Sequence, residues 1–280
     1  MIILDDVNLR KLQSMQLDIF KEFIRICKKY DFQYFLLGGS CLGAVRHQGF
    51  IPWDDDIDVG MPRDDYEKFL GIAEKELPKP YFLQTAETDP HYPLNFAKIR
   101  NSQTTFIESA VAHLQMNHGI YMDIFPMDGY STSLLLKIRI KRYKWGIEKA
   151  FHLKEWRSKL KSMCVKISTA TLKDYHKTRD RLDAVVKKNK YSDCDTVINH
   201  FGAWGDKEIF KKDILGQGSV GIFEGLEVVL PADPDFYCRQ MYGNYMEFPP
   251  IEKRVTHHHC TVIDLDQSYV TYCKSKDNES

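Results

Sequence analysis

No apolar run in the 280-residue chain approaches the roughly 20 residues that a bilayer-spanning helix requires, so no membrane-spanning helix is expected. A secretory leader is not expected either, because Met1–Leu4 is short and gives way at once to Asp5-Asp6. The cysteines make no framework. Cys27, Cys41, Cys164, Cys194, Cys238, Cys260 and Cys273 are odd in number and form no C-x-x-C pair. That pattern argues against a disulfide scaffold or zinc ribbon and for reduced thiols in a cytoplasm. His257-His258-His259-Cys260 does not read as a zinc site, since adjacent side chains diverge and structural zinc ligands come in spaced pairs. Repeats and low-complexity tracts are absent. Net charge is absent too, with 39 Lys+Arg against 39 Asp+Glu, so no nucleic-acid partner is expected. The expected location is cytoplasmic, with peripheral contact at the inner membrane face.

What is present begins with the means to fold. With 43% hydrophobic residues, 16 Phe, 15 Tyr and 4 Trp, the chain can build a sizeable core. The most informative stretch runs from Leu36 to Met61, LLGGSCLGAVRHQGFIPWDDDIDVGM. Tyr34–Leu37 reads as a strand, Gly38-Gly39-Ser40 as a tight turn and Cys41–His47 as a short helix. Glycines before a helix N-terminus let backbone N–H groups approach an anion, most often a phosphate. On an extended strand Asp54, Asp56 and Asp58 share one face, while Asp55, Ile57 and Val59 take the other. A row of carboxylates repels itself until a divalent cation sits among the oxygens. Gly-Gly-Ser alone is ordinarily a turn, and an acidic cluster alone a solvated loop. Here the acids interleave with Ile57 and Val59 and follow Pro52-Trp53, an apolar alternation that solvated loops rarely carry.

The string GGSCLGAVRHQGFIPWDDDIDVGMPRDDYEKF resembles the signature of the LicD family, bacterial phosphocholine transferases related to the fukutin proteins. The resemblance returns at Gly119–Asp128 and at Phe223–His259. It implies an α+β fold of the nucleotidyltransferase type, a mixed β-sheet with flanking helices. The implied activity is transfer of phosphocholine from CDP-choline, or of a related CDP-alcohol, to a glycan or lipid-linked glycan acceptor of teichoic-acid or lipopolysaccharide type. It also implies Mg²⁺ or Mn²⁺ held by Asp56, Asp58 and Asp123, with one of these acids or Asp54 taking the proton of the attacking hydroxyl. Gly38, Gly39 and Ser40 would cradle diphosphate, with Arg46 as a clamp. Lys98 and Arg100 fall where the family has basic residues near substrate phosphates, although a solvated edge strand would carry such residues as well. A choline head requires an aromatic lining, for which Trp53, Tyr121 and Phe125 are candidates. Lys253, Arg254 and His257 belong to the closing motif YGNYMEFPPIEKRVTHH and are substrate-binding candidates. In that motif Asn244 stands where the family usually has Asp. Two other readings remain: transfer of another alcohol phosphate or of a nucleotide to a small molecule, and a non-catalytic scaffold that binds a nucleotide or a membrane.

The rest of the chain supports this core. Asp5 or Asp6 caps a packing helix from about Val7 to Tyr30, and Pro62-Arg63-Asp64-Asp65 starts another. Short strands are expected at Tyr81–Gln84, Leu94–Ile99 and Thr104–Glu108. Asp123, flanked by Met122, Ile124 and Phe125, is an acid in an apolar strand and must be neutralised there. Asp128 is expected to cap the following segment. Lys137–Lys190 carries a strong excess of Lys and Arg, so the remainder is acidic. It reads as a basic helical insertion, either a surface for anionic lipid or glycan or a solvated insert. The expected organisation is a catalytic core over 1–130, the basic insertion over 131–195, a part that completes the active site over 196–266 and a polar tail over 267–280.

Overall fold

The computed structural model describes residues 4–153, 159–172, 174–256 and 258–274. Its first helix, α1 (Asp6–Tyr30), starts where Asp5 accepts the Asn8 N–H at 2.8 Å and stops at Asp31, which adopts a left-handed conformation. Its buried stripe of Leu9, Leu12, Ile19, Phe20 and Phe23 is interrupted by two buried glutamines, Gln13 and Gln16. There follow β1 (Phe35–Leu36), α2 (Gly38–His47), β2 (Asp58–Pro62), α3 (Arg63–Glu76), β3 (Tyr81–Gln84), β4 (Ala97–Asn101), β5 (Thr105–Glu108) and β6 (Ile120–Gly129). Gly38-Gly39-Ser40 is therefore the first turn of a helix rather than a turn before one. The acidic stretch is a loop up to Ile57, and only Asp58 enters a strand.

All ten residues of β6 are buried, as expected of a strand flanked on both sides. It pairs in parallel with β2 and antiparallel with β4, in the order β1-β2-β6-β4-β3. The sheet is thus mixed, and the fold is α+β. Helices α1 and α3 touch each other and β6. Phe23 ties this layer together, with its ring centroid 5.2 Å from that of Phe69 and 5.1 Å from that of Tyr34. β4 lies inside the sheet, so the edge-strand reading of Lys98 and Arg100 does not hold. Asp128 does not cap a segment. It is fully buried in β6 and receives the Arg63 guanidinium at 2.8 and 2.6 Å.

The basic region forms α4 (Leu134–Ala150), α5 (Lys159–Ser168) and α6 (Tyr175–Val186). Ile140, Tyr143 and Ile147 of α4 and Leu182, Val185 and Val186 of α6 share a small core of their own. The chain then returns as β7 (Thr196–Asn199), which pairs with the end of β6, and β8 (Ile209–Lys211), which pairs with β7. The short α7 (Lys212–Leu215) precedes a hairpin of β9 (Ser219–Phe223) and β10 (Leu226–Leu230). Helix α8 (Pro234–Tyr242) is capped by Asp233, β11 (Cys260–Asp264) pairs with β5, and α9 (Val270–Lys274) closes the described chain.

Candidate active site

The acidic loop is held from below by the packing helix. Gln13 donates to the Asp54 carbonyl at 2.8 Å, and Gln16 donates to the carbonyls of Asp55 at 2.7 Å and Tyr121 at 3.3 Å. Apolar residues at these positions would leave buried loop carbonyls without donors. α1 thus positions the loop, a role its sequence signals only as two polar residues within an apolar stripe.

Asp54, Asp56 and Asp58 open onto a common cleft, while Asp55 turns away. That is the division expected of a strand, although most of the segment is loop. Asp55 is buried and accepts from His258 twice, from the backbone N–H at 3.3 Å and from the ring Nδ1 at 3.0 Å. His258 Nε2 lies 3.9 Å from Asp56 Oδ2. Burial opposes a charge on this imidazole, but the hydrogen bond to Asp55 and the charges of Asp56, Asp55 and Glu108 outweigh it and lift its pKa to about 10. The neighbouring carboxylates favour the imidazolium form of His258.

The glycine pair seats two carboxylates against the start of α2. A Cβ on Gly38 would sit 3.0 Å from Asp58 Oδ2, and one on Gly39 would overlap Asp54 Oδ2. Gly38 also has φ +51, and its N–H donates to Tyr237 Oη at 2.8 Å. The Ser40 hydroxyl accepts the Asp58 N–H at 2.9 Å and so pins the start of β2. The positive end of the helix therefore faces Asp54 and Asp58. Gly39→Ala would be helpful in an unconstrained helix, by about 0.5–1 kcal/mol. Here it is expected to displace Asp54 and cost about 10²-fold in turnover. Steady-state rates and thermal melts of the variant check this, and unchanged turnover would separate the glycine from the acid.

Asp58, Asp123 and Lys98 stand side by side across β2, β6 and β4, in direct register. Lys98 is buried and lies 2.6 Å from Asp123 Oδ1. Burial pushes the Asp58 carboxyl well above the usual range, and Asp56, Asp123 and Asp54 push it further. Burial does the same to Asp54, with Asp56 and Asp55 adding to it and His258 opposing. Asp123 is raised by burial against the pull of Lys98. Among the described residues, the three-carboxylate group with donor oxygens all within 4.8 Å is Asp54, Asp55 and Asp56. Such closely set, hard oxygen donors suit a divalent cation of the Mg²⁺ or Mn²⁺ kind.

The cleft has a volume of about 860 Å³, and Trp53, Trp204, Tyr242 and Phe248 line it together with Arg46 and Lys253. Arg46 lies 4.8 Å from the Phe248 ring centroid and donates to the Tyr245 carbonyl. Arg254 lies 5.5 Å from the Trp53 ring and 5.3 Å from Phe248. Asn244 is also on the wall. Other expected binding residues lie outside this cleft. Tyr121 is buried beneath Lys98, whose Nζ is 3.4 Å from the ring centroid, and beneath Arg100 at 4.7 Å. Its face is thus occupied by the protein's own cations. Arg100 is 1% exposed and donates to Gln84 and, at 2.7 Å, to the Gly119 carbonyl. Phe125 packs at 4.4 Å on Phe96. His257 lies outside the described residues. Sequence reasoning missed His258, Trp204 and Tyr242, which only the tertiary fold brings to the acids, and the role of Asp55 as the partner of His258.

A sequence profile described as "LicD/FKTN/FKRP, nucleotidyltransferase domain" matches residues 31–135. The chain is 30% identical over 260 residues to lipopolysaccharide cholinephosphotransferase LicD of Haemophilus influenzae, covering 90% of this chain and 96% of that protein. The chain belongs to the LicD family. This LicD-family protein is also 29% identical over 132 residues to an uncharacterized protein of Rickettsia prowazekii, 46% of each chain. A segment of 33 residues, 12% of the chain, is 54% identical to ribitol 5-phosphate transferase FKRP of Homo sapiens. It spans 7% of that protein. Asp54, Asp55, Asp56, Asp58 and Asp123 of this LicD-family chain fall inside the profile match.

Proposed function

We propose that the protein transfers phosphocholine from CDP-choline to a hydroxyl of a cell-surface glycan precursor of lipopolysaccharide or teichoic-acid type. The observation that carries this is the similarity along almost the whole of a named lipopolysaccharide cholinephosphotransferase. The geometry is consistent with it: an acid cluster opens into a cleft whose aromatic faces suit a quaternary ammonium and a base. Mg²⁺ or Mn²⁺ would be held by Asp56 together with Asp54 and Asp58, with Asp123 braced by Lys98 behind them. When bound, the ion supplies neutralisation of the charge on the diphosphate and on the departing CMP. Arg46 and Lys253 bring positive charge to the same cleft. The carboxylate that accepts the hydroxyl proton is one of Asp54, Asp56 and Asp58, the three that face the cleft. The short match to a ribitol 5-phosphate transferase favours a second donor of the same type, another CDP-linked alcohol. A panel of CDP-alcohols with Mg²⁺, read by acceptor-dependent CMP release, separates the two. No release from any member would overturn both.

No described helix is long and apolar enough to cross a membrane. We place the enzyme in the cytoplasm, with α4 and α5 against an anionic membrane. Leu134, Leu135, Ile138, Met163 and Ile167 are exposed there, alongside exposed Lys137, Arg139, Lys141 and Lys166. Exposed apolar residues beside basic ones are the composition of an interfacial surface. Sedimentation with anionic vesicles is expected at low salt and should weaken sharply as ionic strength rises. Equal binding to neutral vesicles, or none to either, would leave the segment a solvated insert.

A further inference from the structure

Three cavities lie in series through the site. The aromatic cleft shares Asp56, Asp58, Trp204 and His258 with a smaller inner cavity of about 280 Å³. That inner cavity shares Leu94, Phe96, Lys98 and Glu108 with a third cavity of about 460 Å³, between β4 with its preceding loop and helices α4 and α6. The acids stand at the first junction. In a phosphoryl transfer the attacking and leaving oxygens lie roughly in line through phosphorus. A donor whose phosphate rests on the acids from one side must be attacked from the other. The larger cleft, with its indole and phenol faces, has the size and chemistry for a nucleotide-linked quaternary ammonium.

The third cavity has features of its own. Tyr92 and Arg100, each 1% exposed, lie on its wall. Tyr92 Oη and Arg100 Nη2 have no hydrogen-bond partner among the described residues. A buried polar atom left unpaired is costly, and here one donor and one donor–acceptor lie unpaired within the wall of this cavity. Phe96 and Phe201 add aromatic surface, and Asn95 and Glu148 add polar groups. Aromatic faces with convergent donors and acceptors, in a cavity of this size, suit a hydroxyl-rich ring.

We infer that this third cavity is the acceptor subsite and takes a sugar residue, whose hydroxyl reaches phosphorus through the inner cavity; this rests on the transfer reading above. The sugar oxygen forms a bond to the phosphocholine phosphorus, and its proton passes to a cleft carboxylate. The bond from that phosphorus to the CMP oxygen breaks, and CMP leaves with the electron pair. Donor and acceptor thus meet at Asp56 and Asp58 from opposite ends.

The test narrows the mouth of the third cavity. Ala110 is exposed at its rim. Ala110→Trp is expected to raise the KM for the glycan acceptor at least tenfold while the KM for CDP-choline stays within twofold. A second variant, Asn95→Leu, removes a polar group of the wall and is expected to raise the acceptor KM severalfold. An unchanged acceptor KM in both folded variants, or a rise confined to the donor KM, overturns the proposal. Saturation-transfer NMR with methyl galactoside, methyl glucoside and methyl N-acetylgalactosaminide reads binding without any donor. A sugar signal seen with the wild-type protein and abolished by Ala110→Trp supports the subsite even if CDP-choline proves not to be the donor. A signal undiminished in the variant, or absent from the wild-type protein, overturns it.

Discussion

Asp56→Ala and Asp58→Ala are each expected to reduce turnover by about 10³-fold or more, the scale of losing a principal electrostatic interaction with a transferring phosphoryl group. Neither change should unfold the protein. The Asp58 backbone N–H still reaches the Ser40 hydroxyl, and the loop carbonyls still receive Gln13 and Gln16, since none of these bonds uses the deleted side chains. Burial and like charge already hold the Asp58 carboxyl above its usual range, so its removal relieves a repulsion. Without added metal the melting temperature of the Asp58 variant should equal or exceed that of the wild-type protein. With Mg²⁺ at 100 times its dissociation constant, the wild-type protein should gain about 2.7 kcal/mol by linkage, and the variants less. Thermal melts with and without Mg²⁺, beside CMP-release rates, check both halves. Substantial turnover in both variants would remove these acids from the mechanism.

The largest stability effect is expected far from the chemistry, at Arg63. Its guanidinium grips both Asp128 oxygens and also reaches Glu67 at 3.2 Å and Asp183 of α6 at 3.5 Å. Arg63 and Asp128 are 7% and 1% exposed, so the pair is shielded from water. Arg63→Met leaves a buried carboxylate without its cation and is expected to cost about 3–5 kcal/mol. The double change Arg63→Met with Asp128→Leu should recover most of that loss, because apolar replacement of a buried pair is often neutral. Urea unfolding of the singles and the double measures the coupling. A single-variant loss below about 1 kcal/mol would show that the pair is not essential to the join between β6, α3 and α6.

Local patterns were legible where a segment's own residues decide its structure. Helix α1 follows from Asp5 as cap and its apolar residues at helical spacing, and β6 follows from an apolar run broken only by its two acids. Asp123 was readable because an acid in such a strand must be answered, and its place beside Asp58 is what the family topology implies. The misreadings are nonlocal. Asp128 reads as a cap for the segment after it, because its partner Arg63 is distant in sequence. Gly38-Gly39 looks like a turn, since nothing nearby says that two carboxylates occupy the space of its missing Cβ atoms. Gln13, Gln16 and His258 serve the acids only once α1 and the segment before β11 are folded against them.

Strands β6 and β7 pair directly, with Met127 opposite Asn199 and Gly129 opposite Val197. The helices between them therefore leave and re-enter the sheet at adjacent points, and the sheet closes without them. The segment is an excursion from a hairpin, carrying its own small core. A lineage can exchange or reshape such a cassette without rebuilding the acid loop, the glycine pair or the aromatic cleft. As α4 and α6 wall the acceptor side alone, a new glycan can be adopted while the donor half of the enzyme stays as it was.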